Sequence, residues 1–379
     1  MDQRRVLRWA LGLGACLLLL ALDAVQRASP PAPPRAAWPA SQATLPATGW
    51  TLQASGHIPM PDGAPSAHAS ALLALPPQDP AALQAYWFAG SRESGPDVQI
   101  ATSAWDRATQ QWGPARYVVN RHSAGAALGF GLRRLGNPVA WRDVQGRIHL
   151  FVVGTGLGGW AAGRILHLRQ DGPQAPFEPL RVLPLSWLWN TSHLVRAMPL
   201  PLADGGMVLP VYFELGLKYP LALRFDAQGE FRGMVRMSQR TDLLQPTLLA
   251  RSETDWLALM RDNRSDRRLR AALTRDGGRH WEDLPDPGMP NPDASVAGLA
   301  LQPGLQFLAH NPRPESRAQL MLSQATDGRQ WLPLQMLAQG EGRSEFSYPS
   351  LAWANGSLWV SYTEQRRVIA WQRFGPAPR

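Results

Sequence analysis

The stretch Thr274-Arg-Asp276-Gly-Gly278-Arg-His-Trp281 fits the pattern Ser/Thr-x-Asp-x-Gly-x-x-Trp at all four fixed positions. Short hydroxyl and carboxylate side chains hydrogen-bond the backbone of a tight turn, and glycine adopts the positive φ that such turns need. The closing tryptophan supplies a large apolar surface that packs the turn onto the strand beneath it. This stretch therefore predicts a β-hairpin whose shape is set by its own side chains.

Four other segments carry eroded copies of the pattern, and each keeps the closing aromatic residue: residues 105–112, 170–177, 224–231 and 324–331. The five closing aromatics, which include Trp281, are 65, 54, 50 and 50 residues apart along the chain. Self-similarity with a period of about 50 residues indicates a propeller or a solenoid. The chain is thus predicted to repeat one small sheet unit.

Between these turns the chain consists of short apolar or alternating runs punctuated by Gly, Pro, Asp and Asn. Such runs have the length and composition of strands, and helical periodicity is nearly absent. Trp50 and Trp371 are 321 residues apart, which leaves room for six repeats of about 54 residues. We therefore predict an all-β fold, a six-bladed β-propeller over residues 49–376.

The N-terminal region predicts export. Arg4, Arg5 and Arg8 precede fourteen uncharged residues, 9–22. An apolar run of this length behind a basic start suits a signal peptide, because a membrane span needs about 20 residues. No clean cleavage site follows, so the alternative is an uncleaved signal anchor with residues 9–22 as a membrane tether. Either way, residues 1–28 predict a periplasmic or cell-surface protein, which the second case would anchor in the inner membrane.

Residues 29–48 are rich in proline and alanine. This composition predicts a semi-rigid, extended linker that packs no core. The only cysteine, Cys16, lies in the apolar N-terminal run. The rest of the chain therefore has no disulfide framework and no cysteine nucleophile.

The charge of the chain argues against a nucleic-acid partner. The formal net charge is +9, from 38 basic and 29 acidic residues, and every basic residue except Lys218 is an arginine. These arginines are scattered in runs of at most two, whereas a nucleic-acid footprint clusters on one face or helix. The eight histidines show no metal-ligand spacing, so we expect no metal and no cofactor. We expect a monomer.

Propellers bind ligands at one end of the central channel, where loops from all blades converge. Polar residues recur about once per predicted blade near the starts or ends of strands: His68, residues 92–97, Asn137, Glu214, Gln245, Arg261, Asn311, Arg317 and Tyr348. Tryptophans near the predicted mouth are candidates for stacking on sugar faces: Trp141, Trp160, Trp187 and Trp189. Together these residues predict recognition of a carboxylated sugar, because guanidinium groups bind carboxylates in a bidentate manner.

Several phrases of the sequence resemble the sialidase superfamily, and more closely the bacterial BNR-repeat proteins called predicted neuraminidases. These phrases are Ala67-His68-Ala-Ser, Trp87-Phe-Ala-Gly-Ser-Arg-Glu-Ser-Gly-Pro-Asp97, Gly136-Asn-Pro-Val, Leu209-Pro-Val-Tyr-Phe-Glu214, Asn311-Pro and Tyr348-Pro-Ser-Leu. The hairpin that ends at Trp281 resembles the Asp box, which joins the third and fourth strands of a blade in that superfamily. The resemblance covers about residues 50–375 and implies a sialidase-like propeller.

The resemblance also implies a site. Tyr348 resembles the nucleophile, Asp97 resembles the acid/base aspartate, and Glu214 is a candidate base for the tyrosine. The three arginines that clamp the substrate carboxylate correspond to Arg92, Arg261 and Arg317, while His68, Gln245 and Asn311 would contact hydroxyl groups of the sugar.

Two positions depart from the family pattern. The first clamp arginine normally stands in an Arg-Ile-Pro phrase, and this chain has His57-Ile58-Pro59, so that Arg92 must substitute. Gln245 stands nearest the glutamate that activates the tyrosine, and glutamine cannot accept a proton. Glu214 or Glu364 must then serve, since a phenol without a nearby base is a weak nucleophile at pH 7.

The predicted function is that of an exported exo-α-sialidase-type glycoside hydrolase acting on acidic glycans. One alternative is a non-catalytic propeller that binds glycans or assists assembly. Another is a polysaccharide lyase acting on uronic acids, in which His68 or Tyr348 removes a proton while an arginine neutralises the carboxylate.

Overall fold

The structure, a computed structural model, describes residues 3–28, 32–40 and 45–377. The chain divides into two compact units, Met1–Pro33 and Pro34–Arg379. In the first unit, α1 (Gln3–Ala28) is a helix on which Cys16 is exposed. Across the described ranges, no helix combines the length and the apolarity needed to cross a membrane. The export of the protein stays a prediction.

In the second unit, the described residues form six antiparallel sheets arranged as the blades of a propeller. After β1 (Trp50–His57), blade 1 contains β2 (Ser66–Ala74), β3 (Ala81–Gly90) and β4 (Gln99–Asp106), with β5 (Gln111–Trp112) and β6 (Arg116–Val119) both paired to β4. The helix α2 (Arg121–Leu128) leads to blade 2, which contains β7 (Arg134–Arg142), β8 (Ile148–Thr155), β9 (Gly163–Gln170) and β10 (Glu178–Val182). A 3₁₀ turn, Trp160–Ala162, lies between β8 and β9.

Blade 3 contains β11 (His193–Val195) and β12 (Leu200–Pro201), both paired to β13 (Met207–Phe213), followed by β14 (Tyr219–Phe225) and β15 (Phe231–Arg236). Blade 4 contains β16 (Leu243–Ala250), β17 (Trp256–Asp262), β18 (Arg270–Thr274) and β19 (Glu282–Asp283). Blade 5 contains β20 (Ala297–Gln302), β21 (Leu305–His310), β22 (Gln319–Ala325) and β23 (Leu332–Gln339). Blade 6 contains β24 (Phe346–Ala354), β25 (Ser357–Glu364) and β26 (Val368–Pro376).

The two ends of the propeller chain meet in blade 6. The N-terminal strand β1 pairs antiparallel with the C-terminal strand β26, from Trp50 opposite Pro376 to His57 opposite Ala370. Because the first strand completes the last sheet, the ring closes without leaving β26 as an unpaired edge. The prediction of a six-bladed propeller from the repeat is confirmed.

The hairpin that ends at Trp281 joins β18 to β19, the third and fourth strands of blade 4. Thr274 Oγ1 accepts a hydrogen bond from Gly278 N (3.0 Å), and Asp276 Oδ1 accepts from His280 N (3.0 Å). The φ values of Gly277 and Gly278 are +68° and +85°. The Trp281 indole donates to Gly278 O (3.1 Å) and packs against the blade core. Asp106, Asp226 and Asp327 hold the corresponding turns of blades 1, 3 and 5 in the same way.

Apolar clusters between neighbouring blades form the core. Between blades 1 and 6, Trp105 lies with its ring centroid 4.9 Å from that of Trp359 and 5.0 Å from that of Trp371. Edge-to-face contacts of this kind stabilise the packing beyond what the buried area of each indole contributes. Trp141, proposed above for sugar stacking, is buried in the cluster between blades 2 and 3 and is therefore part of the core.

The propeller has two ends. The upper end carries the turns between the second and third strands of each blade and the connections between blades. The lower end carries the turns between first and second and between third and fourth strands. The Asp-box turns thus lie at the lower end. The upper end, where the inner strands β2, β7, β11, β16, β20 and β24 begin, holds the candidate site described below.

The linker prediction is wrong for residues 34–40, which pack on the lower end. Backbone N–H groups of Ala36, Ala37 and Ala40 donate to carbonyl oxygens of Glu253 (2.7 Å), Pro201 (2.9 Å) and Leu301 (3.2 Å). These acceptors belong to blades 4, 3 and 5. The small side chains of Ala36 and Ala40 are buried, and the Trp38 ring packs against the clusters on both sides of blade 4. The segment ties three blades together.

We predict that Trp38→Ala lowers the free energy of unfolding by about 1–3 kcal/mol, because it removes a large apolar contact between blades. Trp187→Ala is the matched control. The Trp187 side chain is 94% exposed, so its removal should change stability by less than about 0.5 kcal/mol. Denaturant unfolding of the two variants measures both values, and equal losses would contradict the packing role of Trp38.

Candidate functional site

Each blade, within residues 45–377, has a residue with a left-handed backbone in the first four positions of the inner strand or up to four positions before it: Ala69 (φ 56°), Asn137 (43°), Ser192 (68°), Gln245 (49°), Asp293 (56°) and Tyr348 (53°). Asp242 (63°), directly before β16, is a second such residue in blade 4. In blades 1, 2, 4 and 6 the strand register shifts at this point, which marks a β-bulge. Bulges of this kind re-aim side chains and are frequent beside active sites. In this propeller they surround the upper mouth of the channel.

A polar cavity of about 150 Å³ occupies this mouth. Its walls come from five blades: Glu93, Asn137, Trp160, Leu194, Tyr212, Glu214, Leu244, Gln245, Arg261 and Tyr348. The Trp160 indole is held by a hydrogen bond to Ser94 Oγ (2.9 Å). It lies directly over Gly136, where any Cβ atom would collide with its ring. Glycine at this position therefore lets the ring reach the cavity.

Tyr348 lies between two buried basic side chains. Its ring centroid is 4.4 Å from that of His68, edge to face. The Arg196 guanidinium carbon lies 5.2 Å from the Tyr348 centroid, a cation–π contact. Arg196 is fully buried and donates to the carbonyl oxygens of Ser70 (3.3 Å) and Pro349 (2.8 Å). It links the inner strands of blades 1, 3 and 6.

Burial fixes the charge state of His68. Desolvation, with help from the nearby Arg366 and Arg196 charges, lowers the pKa of His68 to about 3. The imidazole is therefore neutral at neutral pH. Its Nε2 atom is 3.9 Å from Glu93 Oε1, and neither ring nitrogen has a hydrogen-bond partner among the described residues.

Three arginines at the mouth are each held by a carboxylate. Arg261 donates to Asp293 and to Gln245 Oε1 (3.1 Å). Arg317 donates to Glu345 Oε1 (3.2 Å) and to the backbone oxygen of Asp293 (2.6 Å). Arg366 donates to Glu345 Oε2 (2.7 Å) and to Glu93. Arg261 and Arg317 thus both contact Asp293, and Arg261, but not Arg317, lines the cavity with Tyr348.

The carboxylates of the site differ in their proton affinity. The Arg366 and Arg317 guanidinium groups and the Ser347 hydroxyl outweigh the effect of burial and lower the pKa of Glu345 to about 2. Burial instead raises the pKa of Glu214, which lines the cavity and has no side-chain hydrogen bond among the described residues. The phenol of Tyr212 beside it accepts a hydrogen bond from Gln245 Nε2 (3.5 Å). Glu214 is therefore the cavity carboxylate best placed to exchange a proton.

Five of the nine predicted site residues do not line the cavity. Two of them lie beside it: His68 packs against Tyr348, and Arg317 binds Glu345 and Asp293. The other three are Arg92, Asp97 and Asn311. Arg92 is exposed. Asp97 is held within its own loop by Ser91 N and Ser91 Oγ, both at 2.7 Å, contacts that lower its pKa, and it lines a different depression. Asn311 is fully buried and donates to Gln319 O (2.6 Å) and Phe346 O (2.9 Å), which joins blades 5 and 6.

Sequence reasoning did not identify Arg196, Arg366 or Glu345 as members of the site. Arg196 had one available signal, because it stands alone in the apolar run Leu194-Val-Arg-Ala-Met-Pro. Arg366 and Glu345 lie in turns rich in charged residues, and no sequence signal distinguishes them from their neighbours. Glu93 lies four residues before Asp97, in the same stretch of sequence that resembles the sialidase superfamily. In the described part of the chain, no group of His, Cys, Asp and Glu is arranged to hold a metal ion.

The comparisons with known proteins agree with this fold. The BNR repeat-like domain matches residues 81–360. No curated protein matches the chain. Among solved structures, the Hadza microbial sialidase Hz136 is similar at 17% identity and a TM-score of 0.67, over 81% of this chain and 65% of that one.

Two further structures are similar over most of this chain. A Dyadobacter fermentans protein of unknown function is similar at 12% identity and a TM-score of 0.68, over 86% of this chain and 99% of that one. The Trypanosoma rangeli sialidase is similar at 12% identity and a TM-score of 0.64, over 85% of this chain and 60% of that one. The chain thus spans less than two thirds of the length of either sialidase. At these identities the similarity shows the fold alone.

We predict that Glu345→Gln destabilises the protein above about pH 5 by about 1.5–3 kcal/mol, because it removes charge-assisted hydrogen bonds from two arginines. The pKa of Glu345 is about 2 in the folded protein against an ordinary 4.5. Its contribution is therefore complete above 4.5 and is lost as the pH falls towards 2. The stability difference between wild type and variant should narrow over that range in unfolding measurements.

Glu341→Gln is the matched control, since Glu341 is an exposed glutamate of the same connection. It should give a small difference that does not depend on pH. A difference for Glu345→Gln that stays constant from pH 5 to pH 2 would contradict the ion pairs described here.

Proposed function

The chain belongs to the BNR repeat-like family within the sialidase superfamily, and from this premise we propose that it is a glycoside hydrolase of the exo-α-sialidase type acting on carboxylated glycans. One observation carries the proposal. Tyr348, Arg261, Glu93 and Glu214, which offer a nucleophile, a cation and two carboxylates, line one cavity at the channel mouth. Guided by residues 1–28, we also propose that the protein is exported.

In the proposed reaction, the Tyr348 oxygen attacks the anomeric carbon and gives its proton to Glu214. A positioned base is needed because a neutral phenol is a poor nucleophile. Glu93 pairs with Arg366, so in this proposal it first leaves that arginine and takes up a proton as the substrate binds. It then protonates the leaving oxygen as the glycosidic bond breaks. Water then cleaves the tyrosyl glycoside: Glu93 removes the proton of the water and Glu214 returns a proton to Tyr348, so that both residues regain their starting states.

The arginine cluster would receive the sugar carboxylate. Arg261 borders the cavity, and Arg317 adjoins it through Asp293. Their present partners are carboxylates and a carbonyl, the same chemical groups that a sugar acid offers. Binding in this proposal is therefore an exchange, in which a carboxylate of the ligand takes up guanidinium N–H groups that now face Asp293 or Glu345.

A non-catalytic glycan-binding propeller is the second candidate. The specific observation in its favour is that Gln245, and not a glutamate, accepts the hydrogen bond from Arg261 beside Tyr348. Binding of acidic glycans without turnover would select it. An unsaturated product absorbing in the ultraviolet, formed from a polymer of uronic acids, would select the lyase alternative.

We predict that Tyr348→Phe lowers the release of the fluorophore from a fluorogenic α-sialoside by about a thousandfold or more, with binding retained. Tyr117→Phe is the matched control, because Tyr117 lies on the outer strand β6 and does not line the cavity. It should keep wild-type turnover. Turnover that survives in Tyr348→Phe would exclude the phenol as nucleophile.

A second comparison tests the acid. We expect Glu93→Gln to lower kcat by about 10²–10⁴-fold, and Asp97→Asn to have little effect, since Asp97 is bound within its own loop. A substrate with an activated aryl leaving group should restore much of the rate of Glu93→Gln, because such a group departs without protonation. Loss of rate in Asp97→Asn with full rate in Glu93→Gln would assign the acid to Asp97.

A further inference from the structure

Six large apolar side chains stand exposed on the upper end beside the cavity, on blades 2 and 3. We call them the apolar rim: Leu157, Trp187, Leu188, Trp189, Leu215 and Leu217. Trp187 is 94% exposed, Leu157 and Leu188 are each 75% exposed, and Leu217 is 69% exposed. Single exposed apolar residues are ordinary, but a contiguous group of this size marks an interaction surface.

These side chains belong to one surface. Leu157 follows β8, Leu215 follows β13, and Leu188 and Trp189 lie in the connection from blade 2 to blade 3. All four line a single groove of about 490 Å³. Trp187 and Leu217 neighbour these residues in sequence and are also exposed. The groove and the cavity draw on the same two segments of the chain, because Ala162 and Ser192 line the groove whereas Trp160 and Leu194 line the cavity.

The loop that carries both tryptophans is held firmly at its base. Asn190 donates to Leu183 O (2.9 Å) and accepts from Leu185 N (3.0 Å), which closes the loop on itself. Thr191 Oγ1 donates to Ala162 O (2.8 Å), and Arg164 Nε donates to Asn190 O (3.1 Å). The exposed indoles are therefore presented by a fixed loop.

The charge of this surface has one sign. Residues 129–133, 154–162, 183–192 and 215–218 contain no aspartate or glutamate, and they include Arg133 and Lys218. The carboxylate nearest in sequence, Glu214, is half-buried and lines the cavity. Arg164, which lines the groove, stacks on Phe130 at 5.0 Å from guanidinium carbon to ring centroid. Protruding Trp and Leu side chains flanked by cations, without carboxylates, match the interface of an anionic lipid bilayer.

We propose that the apolar rim docks on an anionic lipid surface, with the tips of the loops at Leu157, Trp187 and Leu188 entering the interface. A glycan chain as occupant is less well matched, since Leu157, Leu188 and Leu215 offer no hydrogen-bonding groups to sugar hydroxyls. Docking would turn the mouth of the cavity towards glycans attached to that surface. Only this last step rests on the proposed hydrolase function.

The test uses the full chain and hydrogen–deuterium exchange. Vesicles of phosphatidylcholine with phosphatidylglycerol should slow exchange in peptides covering residues 154–162 and 183–192, and vesicles of phosphatidylcholine alone should do so less. The Trp187→Ser/Leu188→Ser double variant should lose this protection and bind through this surface about tenfold more weakly or worse, because two large apolar side chains no longer enter the interface. Leu332→Ser, at an exposed leucine of blade 5, is the matched control and should behave as wild type.

Two results would overturn the proposal. One is protection by vesicles that is confined to residues 1–33. The other is protection of residues 183–192 by a soluble acidic oligosaccharide but not by vesicles, which would make the groove a glycan subsite. Neither result depends on turnover, so the docking surface and the hydrolase function can fail separately.

Discussion

The site depends on a backbone constraint that recurs around the channel, a left-handed residue near the start of each inner strand. For a residue other than glycine this conformation costs about 1 kcal/mol or more, and only Asn and Asp adopt it readily. Glycine would relieve the strain, but it would leave no side chain at the mouth. In three blades the next residue is proline, at Pro138, Pro246 and Pro349, inside the register shift. Proline has no backbone N–H group to donate. It fits there because the residue at a bulge does not need to donate a hydrogen bond to the neighbouring strand.

This constraint explains why Asn137, Gln245 and Tyr348 share one cavity although more than a hundred residues separate the first from the second and the second from the third. Each side chain leaves its strand at the equivalent point of its blade. The opposite end of the ring uses a different device, in which Thr274 and Asp276 satisfy the turn themselves. Among the described residues, left-handed residues other than glycine thus lie mainly at the upper end, although Gln110 and Asn355 adopt this conformation in lower-end turns. The candidate site lies where this strain is concentrated.

The fold was predictable from the sequence because its signals are local. The Asp box that ends at Trp281, the spacing of the aromatic residues and the strand-length runs each report on contacts within one blade. The site was predictable only in part. Tyr348, Arg261 and Gln245 stand at repeat-equivalent points and were identified, whereas Arg196 acts through carbonyl oxygens of other blades that no local pattern reveals. For residues 34–40, composition predicted an extended linker, and this was wrong because small alanine side chains also fit closely against the turns of three blades.

The arginines at the mouth differ in whether a carboxylate neutralises their charge. Arg261, Arg317 and Arg366 face Asp293, Glu345 and Glu93, so these three cations are balanced before any ligand arrives. Arg196 differs, because its two hydrogen bonds go to carbonyl oxygens. Burial lowers its pKa to about 10, and the neighbouring Tyr348 acts in the opposite direction, favouring the charged guanidinium. In the proposed reaction, the paired arginines would hold a carboxylate by exchange, while the buried Arg196, 5.2 Å from the Tyr348 ring centroid, holds that ring in place at the cavity.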